Sequence, residues 1–150
     1  MNSRRTCLLL STLVLATSAL AETTPNFTGA WKLDVAKSDL GGAPIAELTV
    51  DITHKNEVFK YTATGVAGGE NFVESEAITT DGKPSQDSRG ATVTAHWDGQ
   101  ALMIESTSAD GTPRDASRLV LSPDGKVITR DYVRKSEDDP QKRHEIYHKQ

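Results

Sequence analysis

One stretch of the chain spells a catalytic pattern letter for letter: His144-Glu145-Ile146-Tyr147-His148. H-E-x-x-H on a helix puts two histidines on one face as zinc ligands and leaves the glutamate to act on a metal-bound water. That chemistry also needs a third ligand, and the sequence ends at Gln150. If the segment is extended, the two histidines lie about 13 Å apart and cannot share an ion. Pro140 after Asp139 could instead start a helix, so the pattern alone leaves strand and helix open for 140–150. The reading adopted is a closing strand that binds no metal. His54 and His96 have no neighbours at metal-ligand spacing and are expected to face solvent or sit at strand ends. There is no G-x-S-x-G elbow, no glycine-rich phosphate loop ahead of a helix, and one cysteine, Cys7. A hydrolase would need a convergent acid–base pair that the sequence does not offer. No catalytic residue, metal or cofactor is therefore expected.

A second set of residues could bind rather than react. The chain has three Phe, three Tyr and two Trp, so each aromatic is expected to have an inside role. Phe59 and Tyr61 share a parity and hence a face of any strand. Ile128, Arg130 and Tyr132 share another. Phe59, Tyr61, Trp97 and Tyr132 are the expected wall of a ligand site, with Arg130 as its polar anchor. Trp31 and Trp97 could both line a cavity, but Trp31 is expected to plug its floor.

These residues are positioned by alternating segments. In Phe27-Thr28-Gly29-Ala30-Trp31-Lys32-Leu33, the odd positions are Phe, Gly, Trp and Leu, the period of a strand with one buried face. Gly29 admits a close neighbour, and Trp31 supplies the largest apolar surface nearby. Asp34 to Leu40 breaks the alternation and reads as one helical turn ended by Gly41-Gly42 and Pro44. Leu48, Val50 and Ile52 then alternate with polar residues, and Lys55-Asn56 reverses the chain into Val58–Thr64. Phe72–Thr79 is a strand with no cleanly apolar face. Ser85–Gly90 reads as loop. Turns recur at Asp81-Gly82, Asp98-Gly99, Asp110-Gly111, Ser122-Pro123-Asp124-Gly125 and Asp138-Asp139-Pro140. Eight to ten strands at a spacing of about 10–14 residues are the mark of an all-β domain. With no long helical period, parallel βαβ folds are excluded. Closure into a single antiparallel up-and-down barrel removes the exposed edges an open sheet would leave, with a β-sandwich as the alternative.

The first residues stand apart. Arg4 and Arg5, the apolar run Leu8–Leu15 and the small-x-small site Ala19-Leu20-Ala21 form a secretory signal peptide over 1–21. Export by the general route is expected over the twin-arginine one, since Thr6-Cys7-Leu8 fits the latter poorly. The domain is then 22–150, outside the cytoplasm: periplasmic or secreted. It contains no cysteine, so its core and strand ladders must hold it. The full chain of 150 residues carries a formal charge of −4, and cleavage removes two arginines and no acid. That balance argues against nucleic acid or an anionic membrane as partner. Asn26-Phe27-Thr28 is formally a glycosylation sequon, expected to be silent.

The opening Phe27–Leu33 followed by Lys37-Ser38 resembles the lipocalin and fatty-acid-binding-protein superfamily, the calycins, in which a Gly-x-Trp strand closes the barrel floor. Thr79–Lys83, Trp97–Leu102, Leu119–Lys126 and the ending Ile146–Gln150 resemble, in that order, small exported lipocalin-like proteins of bacteria. The resemblance implies a barrel whose lumen takes a small apolar or amphipathic molecule, with Phe27, Gly29 and Trp31 as its floor. It also implies that an arginine, Arg118, Arg130 or Arg134, stacks on Trp31. The fatty-acid-binding pattern Arg-x-Tyr in the last strand is absent, because Glu145-Ile146-Tyr147 stands there. Arg130-Asp131-Tyr132 has the right spacing one strand earlier. The alternative function is a filled barrel that contacts an envelope protein through loops 65–70 and 82–90.

Overall fold

The computed structural model describes residues 23–135 and 140–150. The segment 1–21, read above as a signal peptide, and the Asp138-Asp139 part of the last turn lie outside them. Ten strands follow one another: β1 (Gly29–Leu33), β2 (Ile45–Lys55), β3 (Val58–Ala67), β4 (Glu70–Thr79), β5 (Pro84–Gln86), β6 (Thr92–Asp98), β7 (Ala101–Thr107), β8 (Pro113–Leu121), β9 (Val127–Arg134) and β10 (Gln141–Lys149). All pair antiparallel in one sheet ordered β4-β3-β2-β1-β10-β9-β8-β7-β6-β5. The first strand pairs with the last, Trp31 opposite Lys149, so the sheet rolls into a nearly closed up-and-down barrel and not two stacked layers.

The turns work as their residues dictate. Asn56 takes positive φ at +55°, as the β2–β3 reversal requires, and Gly99 does the same at +57° in the Asp98-Gly99 hairpin. Asp34 to Ser38 makes the expected single turn, with Ser38 N donating to the Asp34 carbonyl at 3.0 Å. Two loop expectations are corrected. Pro84–Gln86, read as loop, is the short strand β5, paired with Thr92–Thr94 of β6. Loop 65–70 is a tight Gly68-Gly69 turn, because Gly65 continues β3 against Phe72. The ending is settled as a strand, with Glu145 opposite Arg130 and Tyr147 opposite Ile128.

One end of the barrel is plugged by aromatics. Phe27 and Trp31 are fully buried, and the Trp31 indole Nε1 donates to the Phe27 carbonyl at 2.9 Å. The Phe27 ring stacks on Trp97 at 6.1 Å and meets Phe59 edge-on at 6.0 Å. The cation over Trp31 is Lys149 at 5.3 Å, in place of the arginine expected from the resemblance, because the β1–β10 register puts Lys149 beside it. Gly29 has a φ of +150°, a backbone conformation that favours glycine, and the flexible end of the Lys149 side chain packs where a Cβ would sit.

His54 sits near the end of β2 as expected but away from solvent: it is buried in this plug, 5.8 Å from Trp97 and 5.6 Å from Phe59, whereas His96 is exposed. Alternation explains it, since His54 continues the inward row Leu48, Val50, Ile52 of β2. Burial lowers its pKa, opposed by the Pro25 carbonyl, and neither ring nitrogen makes a well-formed hydrogen bond among the described residues.

Candidate ligand-binding lumen

Above the plug the barrel encloses a cavity of about 360 Å³. Its apolar wall is built by the inward rows of β2 and β3, with Leu48, Val50, Ile52, Phe59 and Ala63 beside Trp31. Val93 of β6 and Ile104 of β7 continue it. The opposite wall, on β8–β10, is polar. There the even and odd rows of neighbouring strands bring Ser117, Arg130, Tyr132, Arg143, Glu145 and Tyr147 to the inside.

Glu145 organises this polar wall. It is only 1% exposed. Its Oε2 accepts from Arg130 Nη1 at 3.1 Å and from the Tyr147 hydroxyl at 2.7 Å. The rest of the Arg130 fork donates to Ser117 Oγ, at 3.1 Å from Nε and 2.9 Å from Nη2. Tyr132 donates to Asp115 Oδ1 at 2.7 Å, and its ring lies 4.8 Å from the Arg130 guanidinium and 4.9 Å from that of Arg143. Burial works against the charge of Arg130, but Glu145 and Tyr147 outweigh it and hold the pKa above the ordinary value. Burial pushes the Tyr61 phenol up to about 12, with Glu74 adding to it and Arg130 opposing. Tyr147 is raised by burial and then by Glu145, and Tyr132 by burial and then by Asp115. All three phenols are thus protonated hydrogen-bond donors at neutral pH.

Four of the five residues expected to line a site do line the cavity: Phe59, Tyr61, Arg130 and Tyr132. Trp97 does not. It belongs to the plug, stacked on Phe27 and His54, since its place beside the Asp98-Gly99 turn carries it to the closed end. The sequence reading missed Glu145 and Arg143 as lumen residues, and Glu74 and Glu76 too. Their signal was present in the alternation of β10 and β4, but an inward row of charges does not look like a core face.

The H-E-x-x-H pattern dissolves in the same geometry. On a strand, Glu145 points inward while His144 and His148 share the other face. His144 Nδ1 pairs with Asp131 at 2.7 Å and His148 Nε2 with Asp34 at 3.2 Å. Among the described residues no group of three potential ligands could hold a metal ion.

The sheet has one seam. β4 and β5 end it and share no ladder. Side chains bridge them instead: Arg89 pairs with Glu74 at 2.8 Å, and Ser88 donates to Glu76.

No protein-family model matches this chain, and no curated protein matches it. A solved structure that does is zebrafish ileal bile acid-binding protein complexed with cholic acid, with a TM-score of 0.58 and 14% sequence identity, covering 83% of this chain and 98% of that one. The two share a fold. Another match, a Schistosoma mansoni fatty acid-binding protein in complex with arachidonic acid, has a TM-score of 0.48 and 14% identity, over 83% of this chain and 96% of that one. The shared fold is the antiparallel up-and-down barrel that the Gly-x-Trp opening led one to expect.

Proposed function

We propose that this protein binds or carries a small apolar or amphipathic molecule in its lumen, outside the cytoplasm. The observation that carries the reading is the open lumen itself. A volume of about 360 Å³ falls within the roughly 300–1,000 Å³ of small-ligand sites, and an apolar wall faced by a few placed polar groups is their usual make-up. The same volume weighs against a filled barrel acting only as a contact module for an envelope protein. The shared fold with a cholic-acid-bound protein supports the reading. The N-terminal Arg4-Arg5, apolar run and Ala-x-Ala site support export to the periplasm or beyond.

The arrangement offers binding chemistry. Water leaves the apolar wall when a ligand fills it, which is worth roughly 25 cal/mol per Å² of apolar surface buried. The protonated phenols of Tyr61 and Tyr132 and the arginines then orient the polar end. The test is a fluorescence titration with the neutral probe N-phenylnaphthylamine. Saturable enhancement at one probe per chain is expected, with competition by decanol. A flat titration of folded protein would overturn the reading.

A further inference from the structure

Among the described residues, the charges that line the lumen and its mouth are segregated, and their formal sum is zero. On the β8–β10 wall stand Arg114, Arg130, Arg134 and Arg143 against Asp115 and Glu145. On the β4 side, with the turn after β5, stand Glu74, Glu76 and Asp87 against Arg89. One wall carries a formal excess of positive charge and the other an equal excess of negative charge. Lysine, the other cation, does not line the cavity at all among the described residues.

Part of the excess on each wall can be traced to particular groups. Arg130 has committed its whole fork to Ser117 and Glu145. Glu145 in turn spends Oε2 on Arg130 and Tyr147, and its Oε1 is 3.9 Å from Arg143 Nη1. Two guanidiniums therefore share one carboxylate. Arg143 is the one left short: its Nη2 reaches Gln141 at 3.0 Å, and its buried Nε has no acceptor among the described residues. Across the lumen, Arg89 is taken by Glu74 at 2.8 Å and lies 3.8 Å from Asp87. Glu76 receives donors from neutral Ser88 and has no cation partner among the described residues. Tyr61 stands opposite Glu76 in the β3–β4 ladder and lines the lumen beside the acidic side.

We propose that the lumen selects a zwitterionic amphiphile: an anionic group beside Arg143 and Tyr132, a cationic group beside Glu76, and an alkyl tail along Trp31, Leu48, Ile52 and Phe59. This deepens the ligand-binding reading and rests on it. A singly charged ligand answers the excess on one wall only, and around the deep group of Glu145, Arg143 and Arg130 an unanswered charge is costly. A zwitterion keeps the balance and places each charge against the wall of opposite excess. A guanidinium suits the anionic end because it presents a planar fork and stacks on an aromatic face, as Arg143 does on Tyr132.

The experiment displaces N-phenylnaphthylamine from the full mature chain with four ligands that share a decyl tail: decanol, decanoate, decyltrimethylammonium and N-decyl-N,N-dimethylglycine. The betaine is expected to bind about ten-fold or more tightly than either singly charged ligand, the scale of one charge-assisted hydrogen bond. Arg143→Gln is expected to weaken the betaine about ten-fold while sparing decyltrimethylammonium, and Glu76→Gln to weaken it while sparing decanoate. Circular dichroism checks the fold of each variant. Glu76→Gln, at the seam, keeps the test alive if Arg143→Gln does not fold. Decanoate binding as tightly as the betaine, or a betaine preference that survives Glu76→Gln, would overturn the proposal while leaving ligand binding intact. Failure of decanol and the probe to bind at all would remove the ligand-binding reading and the proposal with it.

Discussion

Replacing Glu145 by leucine removes the single buried carboxylate that two half-buried guanidiniums share. Arg130 loses its partner at 3.1 Å, Arg143 loses the nearest counter-charge, and the Tyr147 hydroxyl loses its acceptor at 2.7 Å. Removing one member of a buried pair typically costs about 3–5 kcal/mol, most of it the charge left behind. The Arg130 side chain keeps 30% of its surface, facing the lumen, so water there relieves part of the penalty. The lower end, about 3 kcal/mol, is the expected loss. With a urea slope of about 1–3 kcal/mol per molar, the unfolding midpoint should fall by roughly 1–3 M at unchanged slope. The double variant Arg130→Met with Glu145→Leu replaces both partners by apolar groups of similar size. It should recover only the part of the loss that belongs to Arg130, because Arg143 and the Tyr147 hydroxyl still lack the carboxylate. A single-variant loss below about 1 kcal/mol, or a double variant less stable than the single, would refute the view of Glu145 as the charge that holds the polar wall together.

Three further outcomes follow from the same packing. Trp31→Ala should cost about 3–5 kcal/mol in a denaturant titration, and a loss below about 1 kcal/mol would contradict its place in the barrel floor. Gly65→Ala should destabilise by about 1–3 kcal/mol, because a Cβ there would run into the Glu47 carbonyl oxygen and the Phe72 ring; a neutral effect in thermal melts would argue against the β2–β3 register. His54 is held below its ordinary pKa of 6.5, so as pH falls below 6.5 the unfolded chain takes a proton the folded one refuses. Stability should then drop, by up to about 1.4 kcal/mol per pH unit, as the pH falls below 6.5. His54→Phe should flatten that part of a stability-against-pH curve, and an unchanged slope would count against the buried imidazole.

Much of the barrel could be read from local chemistry. The Lys55-Asn56 and Asp-Gly turns fix where the chain reverses, and the rows Leu48–Ile52 and Phe59–Ala63 fix which face looks inward. The parity of Arg130 and Tyr132 placed them together in the lumen for the same reason. What could not be read was the partner of each charge. Arg130 meets Glu145 only because the β9–β10 pairing sets them opposite one another, and no local residue announces that register. The same holds for Lys149 over Trp31. Phe72–Thr79 looked featureless because its inward row mixes Phe72 and Ile78 with Glu74 and Glu76, the pattern of a wet lumen and not of a core. Trp97 misled because an aromatic on an inward row can reach either the lumen or the plug. Its nearness to the Asp98-Gly99 turn was the signal for the plug.

The lumen is the centre of the account, and native mass spectrometry of the protein purified from its own host tests it most directly. A population heavier than the mature chain by one small amphiphile, shed on unfolding, is the predicted spectrum. The bare chain alone, unchanged after incubation with the four decyl ligands, would contradict it.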